Sequence, residues 1–244
     1  MIPFRNLAET RTPDGSRLTL HEHDGDYFIK LNGRQLMSST STTSEILLAD
    51  EACADLARRP NPRVLIGGLG LGFSLKRVLE IIGHRGVAQV AELIPEVVTW
   101  NRELLAAVNG RLLEKKNVEV LTGDVFAIIK RSSSAPFDAI LLDVDNGPTS
   151  FVQAGNKRLY NRRGLQLIRN ALTPHGRVAF WSAEAEPAFR ITLARAGFNV
   201  WEVPAKAHER AKRFAHMIYV GEKVATAASA GSAVSRKFPD PKRR

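Results

Sequence analysis

A chain of 244 residues with 44% apolar residues, 25% charged residues and a formal net charge of +10 can bury one large core, or one core with a small appended unit. No apolar run approaches the ~18 residues that span a bilayer, and Met1-Ile2-Pro3-Phe4-Arg5 lacks the basic-then-apolar layout of a secretory leader, so a cytoplasmic protein without membrane contact is expected. Cys53 is the only cysteine, which excludes an internal disulfide and a cysteine metal cluster.

Residues 1–41 read as a small β unit. Leu18-Thr19-Leu20 and Tyr27-Phe28-Ile29 flank Asp24-Gly25-Asp26, and Asn32-Gly33 precedes Arg34-Gln35-Leu36-Met37; Asp-Gly and Asn-Gly favour positive φ and tight hairpins. His21 and His23 share a strand face, but with no third ligand in view they predict no metal site. Thr42 and Glu45 have capping-box spacing ahead of the stripe Leu48, Ala49, Ala52, Cys53 and Leu56, so a helix is expected to start there and to stop at Pro60 and Pro62.

From Arg63 strands and helices alternate. The expected elements are strand 64–66, helix 73–82, strand 87–91, helix 95–108, strand 118–121, strand 139–142, helix 159–172, strand 178–181, helix 187–196, and strands 199–203 and 215–220 joined as an antiparallel pair. Apolar strands separated by helices predict a sheet buried on both faces. The expected fold is α/β: a Rossmann-like, mostly parallel seven-stranded sheet with helices on both faces and a C-terminal antiparallel hairpin, preceded by a small N-terminal β-sheet. Residues 42–221 form its main unit. Residues 222–244, rich in Ala, Ser and Gly, read as a disordered basic tail.

Three apolar strands in succession finish with an acid: Glu92, Asp124 after Gly123, and Asp143. Val64-Leu65-Ile66 runs into Gly67-Gly68-Leu69-Gly70-Leu71-Gly72. Ligands of open α/β sheets bind beyond the carboxyl ends of strands; glycines there let backbone approach a ligand, and an acid twenty residues on accepts ribose hydroxyls. Gly68, Gly70, Gly72, Glu92, Asp124 and Asp143 are therefore the candidate nucleoside-binding residues. Asp143 and Asp145, at and just past a strand end facing the expected pocket, are the candidate catalytic residues. Tyr160, an aromatic opening an amphipathic helix, reads as core.

Much of the positive charge is local. From Val224 to Arg244, Arg236, Lys237, Lys242, Arg243 and Arg244 oppose only Asp240, and Lys206, Arg210, Lys212 and Arg213 cluster between the last two strands. A solvated loop and tail account for them, although such patches also attract RNA phosphates.

With these elements in place, the chain resembles the class I fold of S-adenosylmethionine-dependent transferases and, within it, the spermidine synthase family, over nearly its whole length up to about residue 221. Val64 to Gly72 looks like that family's glycine loop, Ala91-Glu92 its ribose-binding acid, Gly123-Asp124 the segment at the adenine amino group, and Leu141-Leu142-Asp143 the strand end beside the reacting centre. Gly33-x-Gln35 and Leu159-Tyr160 add to the likeness. The chain departs from the family at Leu71, where aminopropyltransferases carry an aspartate, in the short loop Asp143-Val144-Asp145-Asn146-Gly147-Pro148, and in lacking the Asp-Glu and Tyr-His signals within Ser38 to Ala52. The resemblance implies S-adenosylmethionine or its decarboxylated form as co-substrate, no metal, a small amine or other nucleophile as acceptor, and a homodimer; with an amine acceptor, Asp143 would orient the amine and take its proton and Asp145 would partner a second cationic group.

The missing acid at 71 tilts the expectation toward methyl transfer. The alternative is a polyamine aminopropyltransferase using decarboxylated S-adenosylmethionine. A further alternative is a non-catalytic module that keeps the nucleoside pocket and binds RNA; such a module has no use for an acid at 143, which both enzymes need.

Overall fold

In a computed structural model the described residues are 3–144 and 156–224; Asp145, with the turn Asn146-Gly147-Pro148, and nearly all of the expected basic tail lie outside them. The chain starts with β1 (Arg5–Arg11), β2 (Arg17–His23), β3 (Asp26–Leu31) and β4 (Arg34–Ser38), paired antiparallel in chain order. Their hairpins follow from local chemistry, since Asp24, Gly25, Asn32 and Gly33 all take positive φ. β1 has no counterpart among the sequence-based expectations: RNLAETR carries little β-branched or aromatic surface, and pairing with β2 holds it in place.

Helix α1 (Thr43–Cys53) follows. Thr42 stands at its N-cap without a capping bond, and Glu45 accepts instead from the Ser44 hydroxyl at 3.0 Å, so the expected capping box is not formed. The helix stops at Cys53, before either proline, and a 3-10 turn at Leu56–Arg58 carries Leu56 into the core.

The remainder alternates as expected, through β5 (Arg63–Gly67), α2 (Phe73–Ile82), β6 (Val87–Glu92), α3 (Pro95–Glu103), α4 (Ala106–Asn109), β7 (Val118–Thr122), α5 (Val125–Arg131), β8 (Phe137–Leu142), α6 (Lys157–Tyr160), α7 (Arg162–Asn170), β9 (Leu172–Ser182), α8 (Pro187–Arg195), β10 (Phe198–Ala205) and β11 (His216–Lys223). The helix expected over 95–108 is interrupted at Leu104-Leu105. The one expected over 159–172 is split, because Asn161 restarts the chain as an N-cap, its Oδ1 accepting from the Gly164 amide at 2.9 Å. β11 runs through Lys223, two residues past the expected end of the main unit.

The large sheet has the order β10-β11-β9-β8-β5-β6-β7, parallel except for β11, which pairs antiparallel with both β9 and β10. Its pleat sorts side chains to two faces. Val64, Ile66, Ala139 and Leu141 join a core shared with α1, α2 and the small N-terminal sheet, while Leu65, Ile140 and Leu142 join one built on α5, α7 and α8. All six residues of β8 are buried, Asp138 among them, which explains the apolar run Ala139 to Leu142. The chain steps from β5 outward to β6 and β7, then returns to the other side of β5 as β8. That reversal opens a crevice at the carboxyl ends of β5 and β8.

Candidate functional site

The crevice is built from four strand ends tied by backbone hydrogen bonds. The Gly68 amide donates to Ala91 O at 2.9 Å, the Asp143 amide to Gly67 O at 3.1 Å and the Gly123 amide to Glu92 O at 2.8 Å. The glycines at 68 and 72 are required by conformation as well as by space. Gly68 has φ +91°, and a Cβ there would collide with the Asp143 carbonyl oxygen; Gly72 has φ +90°, with Asn101 and Asn109 each 3.2 Å from where a Cβ would sit. Above Gly70 lies the thioether of Met37, 2.7 Å from the corresponding point.

Glu92 closes β6 only 7% exposed. Its Oε2 accepts from the Leu69 amide at 2.8 Å and its Oε1 from the Ile94 amide at 2.9 Å, so the carboxylate braces both the glycine loop and the entry to α3. Burial pushes its pKa up, opposed by backbone donors at Ile94, Leu69, Leu93 and Gly70. Each oxygen still has lone-pair capacity for another donor. Asp124 caps α5, its Oδ1 accepting from the Phe126 amide at 2.9 Å, while its Oδ2 pairs with Arg158, whose guanidinium lies 4.7 Å over the Phe126 ring. Asp143 follows β8 directly.

These acids surround one cavity of about 150 Å³, lined by Gly68, Gly70, Glu92, Asp124 and Asp143, with Met37 and other residues of the small sheet on the facing wall. A second recess of about 20 Å³ shares Met37, Gly68, Gly70 and Asp143 with it and continues past Leu71 and Gly72 to Phe73 and Glu45. The structure thus brings Gly68, Gly70, Glu92, Asp124 and Asp143 to one cavity and Gly72 to its extension. Asp145 is outside the described residues. Leu71 turns its side chain into the core, 2% exposed. Tyr160 is also core, 6% exposed and in ring contact with Phe180 and Phe189.

Sequence reasoning missed two groups. Asn101 and Asn109, both buried, hold the glycine loop from below: Asn101 donates to Gly70 O at 2.8 Å, and Asn109 to Asn101 Oδ1 at 2.7 Å and to Leu71 O at 3.4 Å. The available signal was two amides set among apolar residues, Asn101 within α3 and Asn109 at the end of α4, where a buried polar group has to find partners. The wall supplied by the small sheet left no motif. Among the described residues, no group of three His, Cys, Asp or Glu side chains is placed to hold a metal ion, and no helix is long and apolar enough to cross a membrane.

The fold is the one seen in solved spermidine synthases. The chain superposes on the spermidine synthase of Thermotoga maritima with a TM-score of 0.68, at 15% identity, over 90% of this chain and 72% of the other. A spermidine synthase in complex with the transition-state analogue AdoDATO gives 0.67 at 15% identity with the same coverage, and a probable spermidine synthase from Corynebacterium glutamicum gives 0.65 at 14%, over 89% and 79%. In sequence, the chain is similar to polyamine aminopropyltransferase 2 of Streptomyces coelicolor, 32% identical over 140 residues, which is 52% of this chain. The match spans about a quarter (24%) of that relative's length. No protein-family model matches the chain.

Proposed function

We propose that the protein is an aminopropyltransferase that takes decarboxylated S-adenosylmethionine as donor and a small amine as acceptor. The observation that carries this reading is the convergence of Glu92, Asp124 and Asp143, from three successive strand ends, on one cavity beside the glycine loop. The loss of an acid at 71 favours methyl transfer when the sequence is taken alone; the likeness to an aminopropyltransferase and to spermidine synthases favours the aminopropyl donor.

In this reading the Glu92 carboxylate, already fixed by two amides, accepts the ribose hydroxyls, and the Gly68 to Gly72 backbone lies against the donor. Asp124 faces the base, its orientation set by Arg158 and the α5 cap. The sulfonium donor arrives activated, so the protein has chiefly to align the acceptor nitrogen with the carbon and keep water out. Asp143 orients the amine and takes its proton as nitrogen forms the new bond to carbon; the carbon–sulfur bond breaks and its electron pair stays on sulfur, leaving a neutral thioether nucleoside. The basic loop between β10 and β11, with exposed Arg210, Lys212 and Arg213, plays no part in this scheme.

The test is turnover and donor preference in the purified protein. Binding of decarboxylated S-adenosylmethionine tighter than that of S-adenosylmethionine, with an aminopropylated amine formed from putrescine or a related diamine, is the expected result. Methylation of the acceptor with the ordinary donor would replace this reading by the methyl-transfer one.

Glu92→Gln is expected to weaken binding of methylthioadenosine and of the donor together, by about tenfold or more, since hydrogen bonds to a charged acceptor contribute about 1.5 to 3 kcal/mol each. Calorimetric titration of both nucleosides measures it. Unchanged affinity in a folded variant removes Glu92 from the ribose site.

A further inference from the structure

Glu45 has no role in the scheme above and no local explanation for its position. It lies in the first turn of α1, where an acid ordinarily faces solvent and the helix dipole. Here it is 9% exposed, with the Ser44 hydroxyl as its side-chain hydrogen-bond partner. Among the described residues no lysine or arginine pairs with it, and burial pushes its pKa up. A buried carboxylate without a cationic partner is costly to keep ionised, and such groups gather where a ligand completes them. The Glu45 backbone oxygen accepts from the Ser74 hydroxyl at 3.4 Å, which ties this turn of α1 to the start of α2 directly behind the glycine loop.

The recess that Glu45 lines has a definite chemical character. Met37 and Phe73 give it apolar walls, Gly70 and Gly72 give it backbone, and Asp143 and Glu45 are its acids. Through Met37, Gly68, Gly70 and Asp143 it opens onto the larger cavity assigned above to the nucleoside. At about 20 Å³ the recess has room for a single ammonium at the carboxylate, with the methylenes of a short chain reaching back along Met37 into the larger cavity. A ligand ending in a carboxylate at the same place would be repelled.

We propose that Glu45 is a specificity-determining residue that binds the terminal ammonium of the donor's aminopropyl arm, supplying from α1 the negative charge that the glycine loop lacks at Leu71. This rests on the aminopropyl reading of the site and deepens it. The removal of the methionine carboxylate from the donor is what makes its arm acceptable to Glu45, so a decarboxylation has to precede this reaction.

The experiment is a calorimetric comparison of three nucleosides on wild type and Glu45→Gln: decarboxylated S-adenosylmethionine, S-adenosylmethionine and methylthioadenosine, the last lacking the cationic arm. Wild type is expected to prefer the decarboxylated donor over S-adenosylmethionine. Glu45→Gln is expected to lose about tenfold or more in affinity for the decarboxylated donor, to stay within about twofold for methylthioadenosine, and so to lose the preference. Binding of methylthioadenosine reports that the variant is folded; if Glu45→Gln does not fold, the neutral, similarly sized Glu45→Met carries the same measurement. A preference that survives the substitution overturns the role of Glu45 and leaves the aminopropyl reading standing. Equal weakening of all three nucleosides also overturns it, since that is the signature of a structural role. A wild type that prefers S-adenosylmethionine overturns both.

Discussion

Asp143→Asn is expected to lower turnover by about 10² to 10⁴, the range for a positioned general base, while donor affinity changes by less than about threefold. The asymmetry follows from geometry. Asp143 stands at the end of β8 where the two cavities meet, and its backbone amide is already bonded to Gly67 O. Asparagine preserves that backbone bond and nearly all the side-chain volume. On the aminopropyl reading, what is lost is the negative charge that aligns the amine and receives its proton, an interaction strengthened in the transition state, while the donor's ammonium keeps Glu45 as its partner. Steady-state kinetics with saturating donor, set beside calorimetry on the same variant, separates the two quantities. A variant with near wild-type turnover would take Asp143 out of the chemistry; one that no longer binds donor would make it a binding residue.

Gly68→Ala is expected to remove donor binding and to destabilise the fold by about 2 to 5 kcal/mol, combining the left-handed backbone penalty with overpacking. The added methyl would meet the Asp143 carbonyl oxygen, a backbone atom with no rotamer of its own. Relief requires the glycine loop to part from the end of β8, and that movement breaks the geometry on which both cavities depend. Thermal unfolding and donor titration check it. A variant with unchanged melting temperature and affinity would mean that the loop shifts freely. Gly70→Ala makes a useful contrast, because its neighbour is the thioether of Met37, a flexible side-chain end, although Gly70 also has φ +50°.

The elements readable from sequence were those in which one periodicity dominates. Apolar runs marked β5, β6 and β8, and acids at the ends of β6 and β8 and just past β7 marked what prove to be walls of the larger cavity, because a charged residue closing a buried strand has few places to go except a ligand or a cap. Asp124 proves to be both a cap and a wall of the cavity. α5 was not readable: in seven residues, VFAIIKR offers apolar groups in nearly every direction and no stripe to count. The split of α6 from α7 depends on Asn161 acting as a cap, which sequence spacing alone does not distinguish from a solvated helix asparagine. Glu45 was read as half of a capping box because its offset from Thr42 fits one; only tertiary packing reveals that it faces the recess behind the glycine loop. Leu71 misled in the opposite way. Its residue type suggested a change in cavity charge, yet its side chain sits in the core and charge is available from another element.

The facing wall of the larger cavity has one more consequence. Thr12, Leu18, Ile29, Leu31, Leu36 and Met37 come from the small sheet or the turn beside it, and the opposite wall from the large sheet. A nucleoside held there is touched by both, so it behaves as a shared tenant whose presence strengthens the grip of one sheet on the other. By linkage, a ligand at a hundred times its dissociation constant adds about 2.7 kcal/mol to any arrangement that it alone occupies. On the aminopropyl reading the grip is firmer with donor bound than after product has left, so release of the spent nucleoside and the loosening of the two sheets are coupled by the same free energy.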